Sequence, residues 1–288
     1  MKQMFVLLFS MLLLFSCNQD KEVEIQNQLS VSIDVFDVVK DFKEDSNNKD
    51  LFRDGVLVMK DYHVRIQLYI YNNEGILVSE NIKIVDDFAQ KVNIIAVLPV
   101  GTYTIVASAD VVKTENDQIK FEYWSFDKTS DIRIFKITDL NFVGSIYKAI
   151  GVYKNTLMID KPESLDIKVK PIGSLVSFRF RYNENANRFS TIKFIWDKTN
   201  DYYSVDEGDP NILHRQGNYE ILEVNPEYYS EVWDVYFLSI QNQIMTWEAN
   251  STSGEAVNNG VVTFDIEQGI NLVVETDVIT GNYTIRNN

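Results

Sequence analysis

Cys17 is the only thiol among 288 residues, so its surroundings bound most of the chemistry this chain can perform. A thiol can attack a substrate, ligate a metal, pair with another thiol or be alkylated. With no second cysteine, a disulfide within the chain is excluded. His63 and His214 are the only histidines, about 150 positions apart, and neither has another histidine or cysteine at ligand spacing, so no zinc site is expected. The acidic string Asp197, Asp201, Asp206-Glu207-Gly208-Asp209 offers the hard oxygen ligands that calcium prefers, but its spacing is not that of an EF-hand loop, and solvated acidic loops are commoner. There is no Gly-x-Ser-x-Gly elbow, no Walker loop and no Gly-x-Gly-x-x-Gly. Among 42 acidic residues nothing singles out a carboxylate pair for glycoside hydrolysis. No catalytic residue, cofactor or metal is expected.

Cys17 closes a distinctive N-terminal segment. Met1-Lys2-Gln3 precedes an apolar run from Met4 to Ser16, ending Leu14-Phe15-Ser16-Cys17. A charged start, about a dozen apolar residues and a small residue before the cut describe a secretory signal, too short to span a bilayer well. The last four residues resemble the bacterial lipoprotein signal. Leu14, Ser16 and Cys17 match its pattern, whereas Phe15 is bulkier than the usual occupant. The resemblance implies removal of residues 1–16 as signal peptide and acylation of Cys17, which leaves no thiol for a cysteine nucleophile. Each buried methylene contributes about 0.8 kcal/mol, and more than one acyl chain makes the anchoring durable. Residues 17–28, lipidated at Cys17 and then polar and mostly acidic, read as a flexible tether. The acidic stretch also loosely resembles the surface-export signal of Bacteroidota lipoproteins. The expected location is the outer membrane, lipid-anchored and exposed at the cell surface.

The elements beyond the tether follow from charge and alternation. A formal net charge of −15 repels phosphate backbones and anionic bilayers, so nucleic acid is not an expected partner and the membrane contact is expected through lipid alone. Leu29, Val31, Ile33 and Val35 alternate with Ser30, Ser32 and Asp34, the period of a half-buried strand. Similar segments recur at His63–Tyr71, Ile82–Ile84, Gln90–Ala96, Tyr103–Ser108, Lys120–Phe126, Ile132–Ile137, Thr156–Ile159 and Leu165–Val169. They continue at Leu175–Tyr182, Thr191–Trp196, Gly217–Val224, Val232–Ile240, Val261–Ile266, Ile270–Glu275 and Asn282–Arg286. Short helical pieces are expected at most near Val38–Phe42 and Ile146–Tyr153. Asn72-Asn73-Glu74-Gly75 predicts a hairpin, with glycine free to take a positive φ. Many short strands rich in valine, isoleucine, tyrosine and phenylalanine predict an all-β chain of sandwich type. Its length suggests two domains, 29–155 and 156–288.

Three stretches resemble the fimbrillin-like family of Bacteroidota, lipoprotein subunits of type V pili and their anchor relatives. They are Val64–Val78, the Leu98-Pro99-Val100-Gly101-Thr102-Tyr103 strand start, and Leu165–Phe180, where Lys170-Pro171 replaces the arginine-proline common in the family. The resemblance implies two tandem transthyretin-like β-sandwich domains after the lipoprotein signal peptide. It also implies a non-enzymatic role in anchoring or forming a pilus or adhesive filament, with other pilus subunits as partners. In the pilin branch, cleavage after an arginine between the first strand and the rest removes that strand. Arg53, in a polar stretch between Leu29–Val35 and His63–Tyr71, occupies the corresponding place, though a solvated loop residue is the simpler reading.

A second reading is glycan binding. Trp124, Trp196, Trp233 and Trp247, with Tyr202-Tyr203 and Tyr228-Tyr229, could supply flat platforms for sugar rings. Aromatic residues in sandwiches more often pack in the core. Exposed, coplanar rings distinguish the first case from the second.

Overall fold

The computed structural model describes residues 26–38, 52–53, 56–57, 62–85, 91–116, 118–128, 133–138, 149–181, 189–213, 217–222, 230–251 and 253–287. In chain order the strands are β1 (Gln26–Asp34), β2 (Phe52–Arg53), β3 (Val56–Leu57), β4 (Tyr62–Asn72), β5 (Leu77–Val85), β6 (Val92–Pro99), β7 (Gly101–Glu115), β8 (Gln118–Glu122), β9 (Trp124–Asp127), β10 (Ile134–Ile137), β11 (Ile150–Ile159) and β12 (Glu163–Lys168). They continue as β13 (Lys170–Pro171), β14 (Gly173–Arg181), β15 (Thr191–Trp196), β16 (Thr199–Ser204), β17 (Asp209–Leu213), β18 (Gly217–Leu222), β19 (Ser230–Leu238), β20 (Ile240–Asn250), β21 (Ala256–Ile266), β22 (Leu272–Asp277) and β23 (Tyr283–Asn287). The fold is all-β, as the alternation predicts. No helix among the described residues is long and apolar enough to cross a membrane.

Sheet order follows from which faces are apolar. In the first half, a three-stranded sheet β12-β1-β6 faces a larger sheet ordered β13-β11-β7-β4-β5, with β8 also on β7. Leu29, Val31 and Ile33 from the small sheet and Val64, Ile66, Leu68, Ile105, Ala107 and Ala109 from the large one are buried in one core. The far face of the large sheet is buried as well. It carries Arg65, Gln67, Tyr69 and Tyr71, and above it lies a third sheet ordered β17-β16-β10-β9. Phe126 of β9 packs its ring 4.4 Å from that of Tyr69 and 4.5 Å from that of Phe135. Strands sandwiched between two layers lose the polar half of their alternation, and β7 is accordingly buried without a break from Ile105 to Val112.

In the second half, sheets β19-β14-β22-β23 and β18-β15-β20-β21 face each other. Between them, Phe178, Phe194, Trp196 and Phe237 make an aromatic core, with Phe178 and Trp196 stacked at 6.2 Å. Two glycines are required by close packing. A Cβ on Gly173 would stand 2.2 Å from the Phe237 carbonyl oxygen, and one on Gly260 would meet the Trp247 indole at 2.6 Å.

Turn chemistry is local and legible. Asn72 closes the β4–β5 hairpin by accepting from the Glu74 and Ile76 amides at 3.0 and 2.9 Å, while Gly75 takes φ 77°. Two expectations need correction or adjustment. The short helix near Ile146–Tyr153 does not form over its described part, because 150–153 open β11, whose β-branched and glycine residues pair antiparallel with β7. Near Val38–Phe42, residues 36–38 make a single helical turn and 39–42 lie outside the described residues. Strand β11 runs unbroken across positions 155 and 156, and β12 and β13 also join first-half sheets. The two buried clusters part between Leu175 and Val176.

Candidate functional site

Strand β1 is the element that the sequence singles out and the fold surrounds. It lies between β6, antiparallel from Gln26↔Pro99 to Ile33↔Val92, and β12, parallel from Leu29↔Glu163 to Asp34↔Lys168. Its inward side chains Leu29, Val31 and Ile33 are fully buried. Each such aliphatic side chain contributes about 1.5–3 kcal/mol by leaving water. Beyond the strand, the Phe36 amide donates to Asp34 Oδ1 at 3.0 Å and Val38 N to the Val35 carbonyl at 3.0 Å. Val38 then packs where Gly151 leaves room, since a Cβ there would stand 2.2 Å from Val38 Cγ2. The slot holding β1 is thus an apolar groove with a hydrogen-bonding edge on either side.

Arg53 is the last residue of β2, which pairs antiparallel with β3, Arg53↔Val56. The arginine therefore ends a short paired strand on the path from β1 to β4. Cys17 lies outside the described residues, as do His214 and the pair Tyr228-Tyr229.

Two polar clusters interrupt the first half. On the covered face of the large sheet, Arg65 Nε donates to Asp110 Oδ1 at 2.9 Å and Nη2 to Oδ2 at 2.6 Å, with a further bond to the Trp124 carbonyl at 2.7 Å. Glu122 takes the remaining guanidinium nitrogen. Burial pushes the Asp110 carboxyl up, against the pull of Arg65. Burial alone would lower the Arg65 pKa, but the charges and hydrogen bonds of Asp110 and Glu122 raise it, and the guanidinium stays protonated. Nearby, the Ser108 hydroxyl donates to Gln67 Oε1 at 3.0 Å and Gln67 Nε2 to the Tyr69 hydroxyl at 2.9 Å. These bonds pair the buried polar groups of Arg65, Asp110, Gln67 and Ser108 with one another and their neighbours.

The second cluster contains a residue of the acidic string. Asp206 accepts from the Arg133 amide at 3.0 Å, from the Arg133 guanidinium and from Lys154 Nζ at 2.9 Å. Arg133 in turn lies over the Tyr71 ring, 4.8 Å from its centroid. Burial pushes the Asp206 carboxyl up, but the hydrogen bonds from Arg133 and Lys154 outweigh it and hold the group well below the usual carboxylate range. Burial raises the Tyr71 hydroxyl to about 12, with Arg133 opposing. Asp197 is engaged separately, by Gln243 Nε2 at 3.1 Å and the Ile244 amide at 2.9 Å. Among the described residues no three His, Cys, Asp or Glu side chains gather as a metal site. Asp197 and Asp206 thus serve two separate structural roles. Sequence alone hid this, because Arg133 stands 73 positions before its partner.

Five of the eight candidate aromatic side chains are described. Trp124, Trp196, Trp247 and Tyr203 are all buried, and Tyr202 is half-buried. A buried ring cannot stack on a sugar.

No protein-family profile and no curated protein sequence matches the chain. Solved structures do. The fimbrial anchor protein Mfa2 of Porphyromonas gingivalis superposes with a TM-score of 0.50 at 12% identity, covering 92% of this chain and 98% of that one. The chain has the fold of a fimbrial anchor protein. The tip fimbrial protein Mfa3 of Porphyromonas gingivalis, solved with a C-terminal truncation, gives 0.51 at 9% identity, covering 92% and 99%. A protein of Bacteroides thetaiotaomicron VPI-5482, for which polysaccharide binding has been suggested, gives 0.53 at 12% identity over 87% and 92%. Coverage of 92% of this chain by each of the two fimbrial proteins means that the fold is shared over most of its length and not as one module.

Proposed function

We propose that this chain is a fimbrillin-like surface lipoprotein, tethered to the outer membrane through acyl chains on Cys17, that anchors or forms part of a pilus or adhesive filament. The observation that carries this reading is the match to a fimbrial anchor and a fimbrial tip protein over nearly the whole of each chain. The signal ending in Cys17 supports it from the sequence side. The work is structural and its partners are other subunits. We place the domain division between Leu175 and Val176, where the two apolar clusters part, with residues 26–175 forming the first unit.

The subunit contact is proposed to run through strands. An apolar groove flanked by hydrogen-bonding edges accepts any extended segment of matching alternation, and the β1 slot is such a groove. Retention of β1 suits an anchor; cleavage after Arg53 followed by loss of β1 suits a polymerising subunit. The glycan alternative keeps one support, the likeness to the protein with a suggested polysaccharide-binding role, and loses its indole platforms at Trp124, Trp196 and Trp247. Intact mass and N-terminal analysis of the protein from its native membrane separate the cases. Acylated Cys17 on an uncut chain indicates an anchor and a new terminus at Asp54 a polymerising pilin. Retention of Met1 overturns the lipoprotein reading.

A further inference from the structure

The sheet β17-β16-β10-β9 belongs to neither half alone. Strands β9 and β10 arise from the first half of the chain. Strands β16 and β17 follow β15, which pairs with β18 and β20 deep in the second half. Residues 199–213 therefore leave the second sandwich as an arm and lie against the first. The arm's grip is detailed. Backbones pair antiparallel at Ile134↔Ser204, Phe135↔Tyr203 and Lys136↔Tyr202. Tyr203 and Val205 are buried within the apolar cluster of the first half. The Val205 amide donates to the Arg133 carbonyl at 2.8 Å, and Asp206 at the end of the arm is held by Arg133 and Lys154.

We infer that this arm clasps the first sandwich so that the two units open and unfold as one body, resisting any pull that would separate them. The geometry favours this over a passive contact for three reasons. The β10–β16 ladder pairs a strand from each half of the chain, so separating the units must break sheet hydrogen bonds in addition to apolar packing. Two buried side chains must also be drawn from a core that is not their own. Third, Asp206 would exchange its charge-assisted bonds from Arg133 and Lys154 for water. The two units are thus joined by the backbone near Leu175, by the arm, and by Tyr236 and Leu238 of β19, which are also buried in the first cluster. The Tyr236 hydroxyl adds a contact near the backbone connection by donating to the Ile150 carbonyl at 3.2 Å. The value of such a clasp to a filament subunit rests on the proposed function; the clasp itself does not.

Hydrogen exchange on the full-length wild-type chain in detergent tests this without any substitution. The amides of Phe135 and Tyr203 are expected to exchange within about tenfold of the slowest amides of β4 and β14, a gap of about 1.4 kcal/mol in opening free energy. Exchange of those two amides through a separate opening, several hundredfold faster than both sandwiches, would overturn the clasp whatever the protein does in the cell. Charge reversal, Asp206→Lys, gives the second arm of the test, since it should speed the Phe135 and Tyr203 amides at least about tenfold while sparing β14. Adding Lys136→Cys and Tyr202→Cys, directly opposed across β10 and β16, should restore slow exchange once oxidised. Unchanged exchange in the Asp206→Lys chain would also count against the proposal.

Discussion

Arg65 and Asp110 illustrate what a single buried pair does in this protein. Both are almost wholly enclosed, and two parallel hydrogen bonds join them on the face of the large sheet that the third sheet covers. Removing Asp110 takes two charge-assisted bonds from the buried Arg65 and leaves it only Glu122 and the Trp124 carbonyl, at a cost of up to about 3–5 kcal/mol, whereas replacing both members of such a pair by apolar groups of similar volume is near neutral. Asp110→Ala is therefore expected to lower the urea midpoint severely, and the double change Arg65→Met with Asp110→Leu to recover most of the loss. A double variant as unstable as the single one would mean that the pair contributes more than charge compensation. Asp206 makes a different, pH-dependent contribution. Its folded pKa lies below the ordinary value, so its stabilisation is present above an unfolded pKa of about 3.9 and is lost as pH falls through the folded value. Melting temperatures followed from pH 7 downward should fall less steeply below pH 4 in Asp206→Asn than in the wild type, because the variant has already lost that contribution.

At the scale of elements, the buried glycines and strand β1 set the packing. Gly173 lies where a methyl group would enter the Phe237 carbonyl and the Tyr236 ring. Overpacking of this kind costs about 1–3 kcal/mol, so Gly173→Ala should lower the unfolding midpoint without changing the secondary-structure content seen by circular dichroism. Strand β1 shows what local sequence can specify. Its alternation of Leu29, Val31 and Ile33 with Ser30 and Ser32 encodes one buried and one half-buried face, and it forms over Gln26–Asp34. Thr191–Trp196 and the Asn72–Gly75 turn were equally readable. The arm was not. Thr199-Asn200-Asp201-Tyr202-Tyr203-Ser204 has little apolar alternation, and its order comes from β10, a partner far away in sequence. Strand β11 resisted for a related reason, since its described start, Ile150-Gly151-Val152-Tyr153, pairs with the long β7 and shows no period of its own. The same physics limits the candidate site: alternation marks β1 as a strand, but the existence of a two-edged slot depends on β6 and β12, the latter about 130 residues downstream. If β1 is held by burial and two ladders, nicking the native chain after Arg53 with trypsin should leave the β1 fragment bound through gel filtration and release it only in denaturant.

For the whole molecule, the proposed attachment of an acidic body to a membrane makes its own predictions. A chain of net charge −15 gains no electrostatic attraction to anionic lipid, and no helix among the described residues is long and apolar enough to span the bilayer. If the protein is held by acyl chains on Cys17, attachment should be indifferent to ionic strength, because the anchoring free energy comes from buried methylenes and not from charge. Washing native membranes with about 1 M salt, where the screening length falls to about 3 Å, should release none of it. The single cysteine makes the complementary test clean. A maleimide reports on Cys17 and on nothing else in this chain, so the mature protein should remain unlabelled even when fully unfolded, while unprocessed precursor should label once per chain. The mass of the unlabelled form should match a chain beginning at Cys17 with acyl groups added. Labelling of the membrane-bound, unfolded protein would show a free thiol, and attachment would then need a cause other than lipid on that sulfur.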